Sequence, residues 1–157
     1  MTTDHAVDSP GGDMDKACYR KLKPYKYKLT ADHRYPTGIV PEAACGNRFV
    51  LLSATGLLTM RDGYAWDGAS GPTLDTASFL RGALVHDALY QLMREGLLDP
   101  KWRDPADRLL QKICLEDGMY RLRAAYVYHT VRLFGAANAR PRPAAAPVIH
   151  CLPETDG

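Results

Sequence analysis

Apolar and polar positions alternate in the first half of the chain and recur every three or four residues in the second half, so the two halves predict different structures. Tyr25, Tyr27 and Leu29 alternate with Lys26 and Lys28, which predicts a half-buried strand with an aromatic face and a lysine face. Pro36, Gly38 and Pro41 punctuate a loop. Phe49 to Ser53 and Leu57 to Met60 flank Thr55-Gly56 and predict a hairpin turning at Gly56. Arg61-Asp62-Gly63 is a further turn signal before Tyr64-Ala65-Trp66.

From about Thr76 to Leu97, the residues Phe79, Ala83, His86, Tyr90, Met93 and Leu97 recur in steps of four and three. That spacing marks one face of a helix, with Gly96 as its stop. A second helix is expected to open with Asp104 as N-cap and Pro105 in the first position. Its apolar side is Leu109, Leu110, Ile113 and Cys114, and Gly118 ends it. A third helix runs from Arg121 to about Phe134, with Leu122, Tyr126, His129 and Leu133 on one face. Arg121, Arg123 and Arg132 lie elsewhere on that helix and are most simply a solvated face. The fold class is therefore α+β, a small antiparallel sheet followed by three helices that include an antiparallel pair.

Residues 1–17 lack periodicity and are rich in Asp, Gly and Ser, and 138–157 carry a Pro/Ala-rich run, so both ends are expected to be disordered. One globular domain over 18–137 remains, with no internal repeat. The 157 residues and 46% hydrophobic content suffice for a single core. A net charge of +2 does not mark a strongly basic nucleic-acid binder, and no specific nucleic-acid partner is expected. No apolar stretch is long enough to span a bilayer. The polar, acidic start is wrong for a secretory signal, so a cytoplasmic product is expected, with association with a virion as a further possibility. Cys18, Cys45, Cys114 and Cys151 show no paired spacing and read as reduced thiols. Neither they nor His5, His33, His129 and His150 fall at zinc-ligand spacing.

The chemistry concentrates on the first two helices. His86 and Tyr90 sit one turn apart on an apolar stripe, and each needs a hydrogen-bond partner there. Asp107 on the next helix is the candidate acceptor for both. A carboxylate so placed fixes the imidazole tautomer and leaves the other ring nitrogen free to take a proton from water. Asp87 is turned about 100° from His86 and must face a neighbouring space. The loop Asp67-Gly68-Ala69-Ser70-Gly71-Pro72-Thr73 could present backbone carbonyls to it, and carbonyls with carboxylates are what Ca²⁺ selects.

The segments HDALY and PADRLL resemble the H-D-x-x-Y helix and the aspartate-bearing partner helix of phospholipase A2, most closely its viral, cysteine-poor type. The resemblance covers about Asp67 to Leu110. It implies that His86 is the general base, Asp107 its orienting carboxylate and Tyr90 a hydrogen-bond donor to Asp107. It also implies Asp87 as a calcium ligand, with the loop at Asp67, Gly68, Ala69 and Gly71 supplying further oxygens. A second resemblance spans about Tyr25 to Gly135. There the order G-Y-x-x-D-G-A-S, H-D-x-L-Y, an Ala-Asp helix and an Arg-rich helix is similar to a small family of unknown function from tailed phages and prophages.

These residues also have plainer readings. A histidine on an apolar face is usually a satisfied core residue, and Asp107 would favour a helix N-terminus by about 0.3–1 kcal/mol without any catalysis. Asp67-Gly68 could be only a turn. The run Tyr19 to Lys28 suits an anionic lipid or nucleic-acid surface, or an edge strand guarded by lysines. Three functions compete on these terms. One is a Ca²⁺-dependent, phospholipase A2-like ester hydrolase acting at a phospholipid surface. Another is a non-enzymatic virion or assembly protein that contacts other phage structural proteins. The third is a different His–Asp hydrolase acting on cell-wall material.

Overall fold

The computed structural model describes residues 17–22, 26–67, 76–136 and 139–141. Among the described residues, seven short strands precede three α-helices. Strands β1 (Tyr19–Leu22), β2 (Lys26–Leu29) and β7 (Ala65–Trp66) form one antiparallel sheet in the order β1-β2-β7. The lysine- and tyrosine-rich run is thus two strands, with Tyr19 opposite Leu29 and β1 at the sheet edge. Tyr27 and Leu29 are buried as the alternation predicts, and Tyr27 stacks against Trp66. Tyr25 lies outside the described residues.

A second sheet has the order β3-β6-β5-β4, built from β3 (His33–Pro36), β4 (Cys45–Gly46), β5 (Val50–Leu52) and β6 (Leu57–Met60). The hairpin β5–β6 turns at Gly56, whose φ of 86° needs a residue without a Cβ. His33–Pro36 forms a strand where alternation was masked by a terminal proline; its buried His33 and Tyr35 alternate with exposed neighbours. The turn at Asp62-Gly63 joins the sheets, because Gly63 N–H donates to the Leu29 carbonyl and Leu29 N–H to the Tyr64 carbonyl.

Helix α1 (Ala77–Arg94) is buried on more than the predicted stripe, since Leu80, Leu84, Val85, Ala88 and Leu89 are covered too. It packs on α2 (Arg103–Glu116) and also contacts β7, so little of its surface meets water. The α1 chain stops at Gly96 in a left-handed conformation, with the Leu97 N–H returning to the Leu92 carbonyl. Leu97 lies past this stop and is exposed rather than on the stripe.

The second helix starts earlier than expected. Asp99 accepts from the Lys101 N–H and Pro100 opens a single 3-10 turn, Pro100–Trp102, that runs into α2 at Arg103. Asp99-Pro100 repeats the Asp-Pro start signal of Asp104-Pro105 five residues upstream, and the first of the two takes the role. Asp104 therefore lies inside α2, where it accepts from Arg108 Nε at 2.8 Å and from the Tyr128 hydroxyl at 3.0 Å.

Helix α3 (Arg121–Phe134) follows, and its predicted face is turned around. Ala124 and Val127 are buried with Val131 partly so, while Leu122, Tyr126, His129 and Leu133 face solvent. Small residues let α3 sit close on α2, which selects the Ala/Val side over the larger residues opposite. At the far end of the pair, buried Arg81 is clamped by Asp117 (2.7 Å) and Glu116 (3.3 Å). Arg81 also lies over the Tyr35 ring, whose hydroxyl donates to Glu116 and is pushed up to about 12 by burial and that carboxylate. This strut ties β3 to α1 and α2. Among the described residues, no helix is long and apolar enough to cross a membrane.

Candidate active site

Helices α1 and α2 run antiparallel and approach closely at Gly82, where a Cβ would come within 2.9 Å of the Leu110 side chain and 3.1 Å of Cys114 Sγ. One turn further along α1, that spacing brings His86 to Asp107. His86 Nε2 lies 2.8 Å from Asp107 Oδ1, and the Tyr90 hydroxyl donates to the same oxygen at 2.6 Å. The two rings stack at 4.1 Å between centroids. The unit of His86, Tyr90 and Asp107 read from the helical spacing is present.

The other carboxylate oxygen is occupied by residues that spacing did not reveal. Arg132 Nη1 on α3 donates to Asp107 Oδ2 at 3.1 Å, and Arg103 Nε stands 3.8 Å from the same atom. Arg103 also donates to the Arg132 carbonyl at 3.0 Å, closing the ring of contacts. Arg132 is thus part of the cluster, with a third of its side chain still open to water. The signal for it in the chain is the spacing of Tyr128 and Arg132, one turn apart beside the small-residue face of α3, from which both reach acidic residues of α2. Gly135 completes the cover. A Cβ there would lie 2.6 Å from the Tyr90 hydroxyl oxygen, so only glycine lets the end of α3 pass.

Asp107 has no exposed surface. Burial alone would raise its carboxyl, but donation from His86, Tyr90 and Arg132 outweighs that and holds it below the ordinary carboxylate value. An ionised carboxylate only accepts, so Nε2 of His86 carries the proton and the neutral ring has its lone pair on Nδ1. Burial also opposes a charged His86; hydrogen bonding to Asp107 and the neighbouring Asp87 carboxylate reverse the balance and raise its pKa above 6.5. Nδ1 lies 3.8 Å from Asp87 Oδ1, beyond hydrogen-bond range, so Asp87 acts there mainly through its charge.

Asp87 points away from Asp107, as its angular position on α1 requires. Its side chain keeps 32% of its surface, against 10% for His86, so Nδ1 faces the more open side of the cluster. Burial raises the Asp87 carboxyl, and the charge of Asp67 raises it further. Asp67, just past the end of β7, is exposed. Carboxylates are the hard oxygen ligands that a calcium ion selects, and no group of three metal-binding side chains occurs among the described residues. Gly68, Ala69 and Gly71, the expected carbonyl donors, lie outside the described residues.

Fold and site together define an α+β protein with a buried His–Tyr–Asp–Arg cluster joining three helices. Comparison with known protein families, curated proteins and solved structures finds no match to the chain.

Proposed function

We propose that the protein is a hydrolase of the phospholipase A2 type, using His86 and Asp107 to activate water against a carboxylic ester. The observation that carries this reading is the division of the imidazole between two environments. Nε2 is locked on buried Asp107 with Tyr90, while Nδ1 is turned to the partly open Asp87 side.

In the proposed reaction Nδ1 takes a proton from water as the oxygen attacks the ester carbonyl carbon. The carbonyl–alkoxide bond then breaks, and the imidazolium returns its proton to the departing alkoxide, giving a carboxylic acid and an alcohol. Asp107 stabilises the imidazolium through Nε2 without taking its proton. Asp87 and Asp67 are the described residues suited to hold a calcium ion, which would supply positive charge next to the developing oxyanion. A glycerophospholipid ester at a lipid surface is the substrate the resemblance suggests.

The test is release of fatty acid from phospholipid vesicles with calcium or with chelator, run beside soluble short-chain esters. Calcium-dependent release that disappears in Asp87→Ala, with the fold retained, supports the reading. Release indifferent to chelator removes the calcium role.

One observation favours a second reading. Both oxygens of Asp107 are satisfied, and its donors come from α1 and α3, as a purely structural polar network would arrange them. On that reading the protein is a non-enzymatic assembly component, of phage origin if the second resemblance holds, and His86→Ala lowers the melting temperature without removing any activity.

A further inference from the structure

Helix α3 is apolar on two opposite sides, and among the described residues only one of them is packed against the rest of the fold. Leu122 is 87% exposed and Leu133 76%, with Tyr126 between them also open. Monomeric surfaces rarely carry large apolar side chains in such a row. We propose that this outer face pairs with the same face of a second copy of the chain, the two α3 helices running antiparallel.

Three features select this occupant. The residues Leu122, Tyr126, His129 and Leu133 are spaced four, three and four apart, which is the narrow seam of a two-helix contact. The seam is also symmetric in sequence: Leu122 and Leu133 are equidistant from the midpoint between Val127 and Tyr128, and so are Tyr126 and His129. A two-fold axis at that midpoint sets Leu122 against the partner's Leu133 and Tyr126 against the partner's His129, as an isologous contact requires.

Charge and area agree with that arrangement. α3 has no carboxylate; Arg121 and Arg123 in its first turn oppose its own dipole, while Arg132 in its last turn is already paired with Asp107 and Asp104 of α2. Antiparallel pairing lays the first turn beside the partner's last carbonyls, whereas parallel pairing would bring the two first turns together. The exposed side chains of Leu122, Tyr126, His129 and Leu133 offer on the order of 400 Å², an aromatic carrying about 150–250 Å² when fully covered. A standard interface takes about 800 Å² per partner, which makes this a dimer of modest affinity.

Sedimentation of the full chain across about 1–200 μM tests the pairing, together with Leu122→Glu/Leu133→Glu. We expect a concentration-dependent dimer, with dissociation raised at least about 100-fold in the double variant and its melting temperature unchanged. Tyr126→Lys is the second variant should the double one fail to fold, and the same loss of dimer is expected. Oxidised Leu122→Cys/Leu133→Cys should give a 122–133 link between chains, identified by peptide mapping against the natural cysteines, and Leu122→Cys alone should not link to itself. A monomer at every concentration overturns the proposal, including one that binds vesicles of anionic phospholipid or one that dimerises only after removal of residues 142–157. A 122–122 link overturns the antiparallel arrangement.

Discussion

The Arg132 guanidinium on α3 reaches the Asp107 oxygen that His86 leaves unused, 3.1 Å away, so one buried carboxylate joins three helices. Removing that carboxylate takes the shared acceptor from the His86 ring, the Tyr90 hydroxyl and the Arg132 guanidinium at once. Asp107→Ala should therefore destabilise the fold by about 3–5 kcal/mol. Arg132→Met should cost less, about 1 kcal/mol, because a third of the Arg132 side chain is open to water. Urea denaturation of the two variants beside the parent checks the order; equal losses would mean that Arg132 is buried more deeply than its exposure indicates.

Tyr90→Phe removes one charge-assisted hydrogen bond while leaving His86 on the same oxygen. A loss of about 1.5–3 kcal/mol is expected, read as a lower urea midpoint with an unchanged slope. A changed slope would point instead to a rearranged core.

Gly135→Ala tests how tightly α3 closes over the cluster. The added methyl meets the Tyr90 hydroxyl, so either that ring or the end of α3 must move. The expected loss of about 1–3 kcal/mol should shrink only in part in the Tyr90→Phe background, because the hydroxyl contact is then gone while the closer contact with the Val131 carbonyl oxygen remains. Additive losses in the double variant would disconnect the two residues.

The pH dependence of stability follows from the two partners. The folded state lowers the Asp107 pKa below its ordinary 3.8, so that contribution is present above 3.8 and lost as pH falls through the folded value. The folded state raises the His86 pKa above 6.5, so that contribution is present below 6.5 and lost as pH rises through the folded value. Unfolding free energies measured from pH 3 to 10 should fall at both limits, and between them the raised Asp87 carboxyl adds a decline as pH rises through its folded value. In His86→Gln the alkaline decline should flatten while the acid limb persists.

The helix pair and its polar unit could be read from the chain because both depend on local spacing: four residues set Tyr90 above His86, and antiparallel packing turns Asp107 toward both. The sheets were readable where alternation was clean, at Tyr27-Leu29 and on either side of Gly56, and not at His33–Pro36, where proline obscured it. Helix α3 carried two apolar faces of different size, and periodicity favours the larger. The core took Ala124 and Val127, because close approach to α2 outweighs side-chain size. Arg132 was hidden by the same error, since its position is polar only relative to the wrong face. The start of α2 turned on two copies of Asp-Pro, a choice local propensity does not make.

Water activation by the His86–Asp107 pair is read out by the rate of fatty-acid release from phospholipid vesicles in the presence of calcium. Wild type should release acid above the protein-free blank. His86→Gln, confirmed as folded by circular dichroism, should be slower by about 10²–10⁴-fold, the contribution of a positioned general base. Release from wild type no faster than the blank, or equal rates in wild type and His86→Gln, would contradict the claim and leave the cluster as a structural tie among three helices.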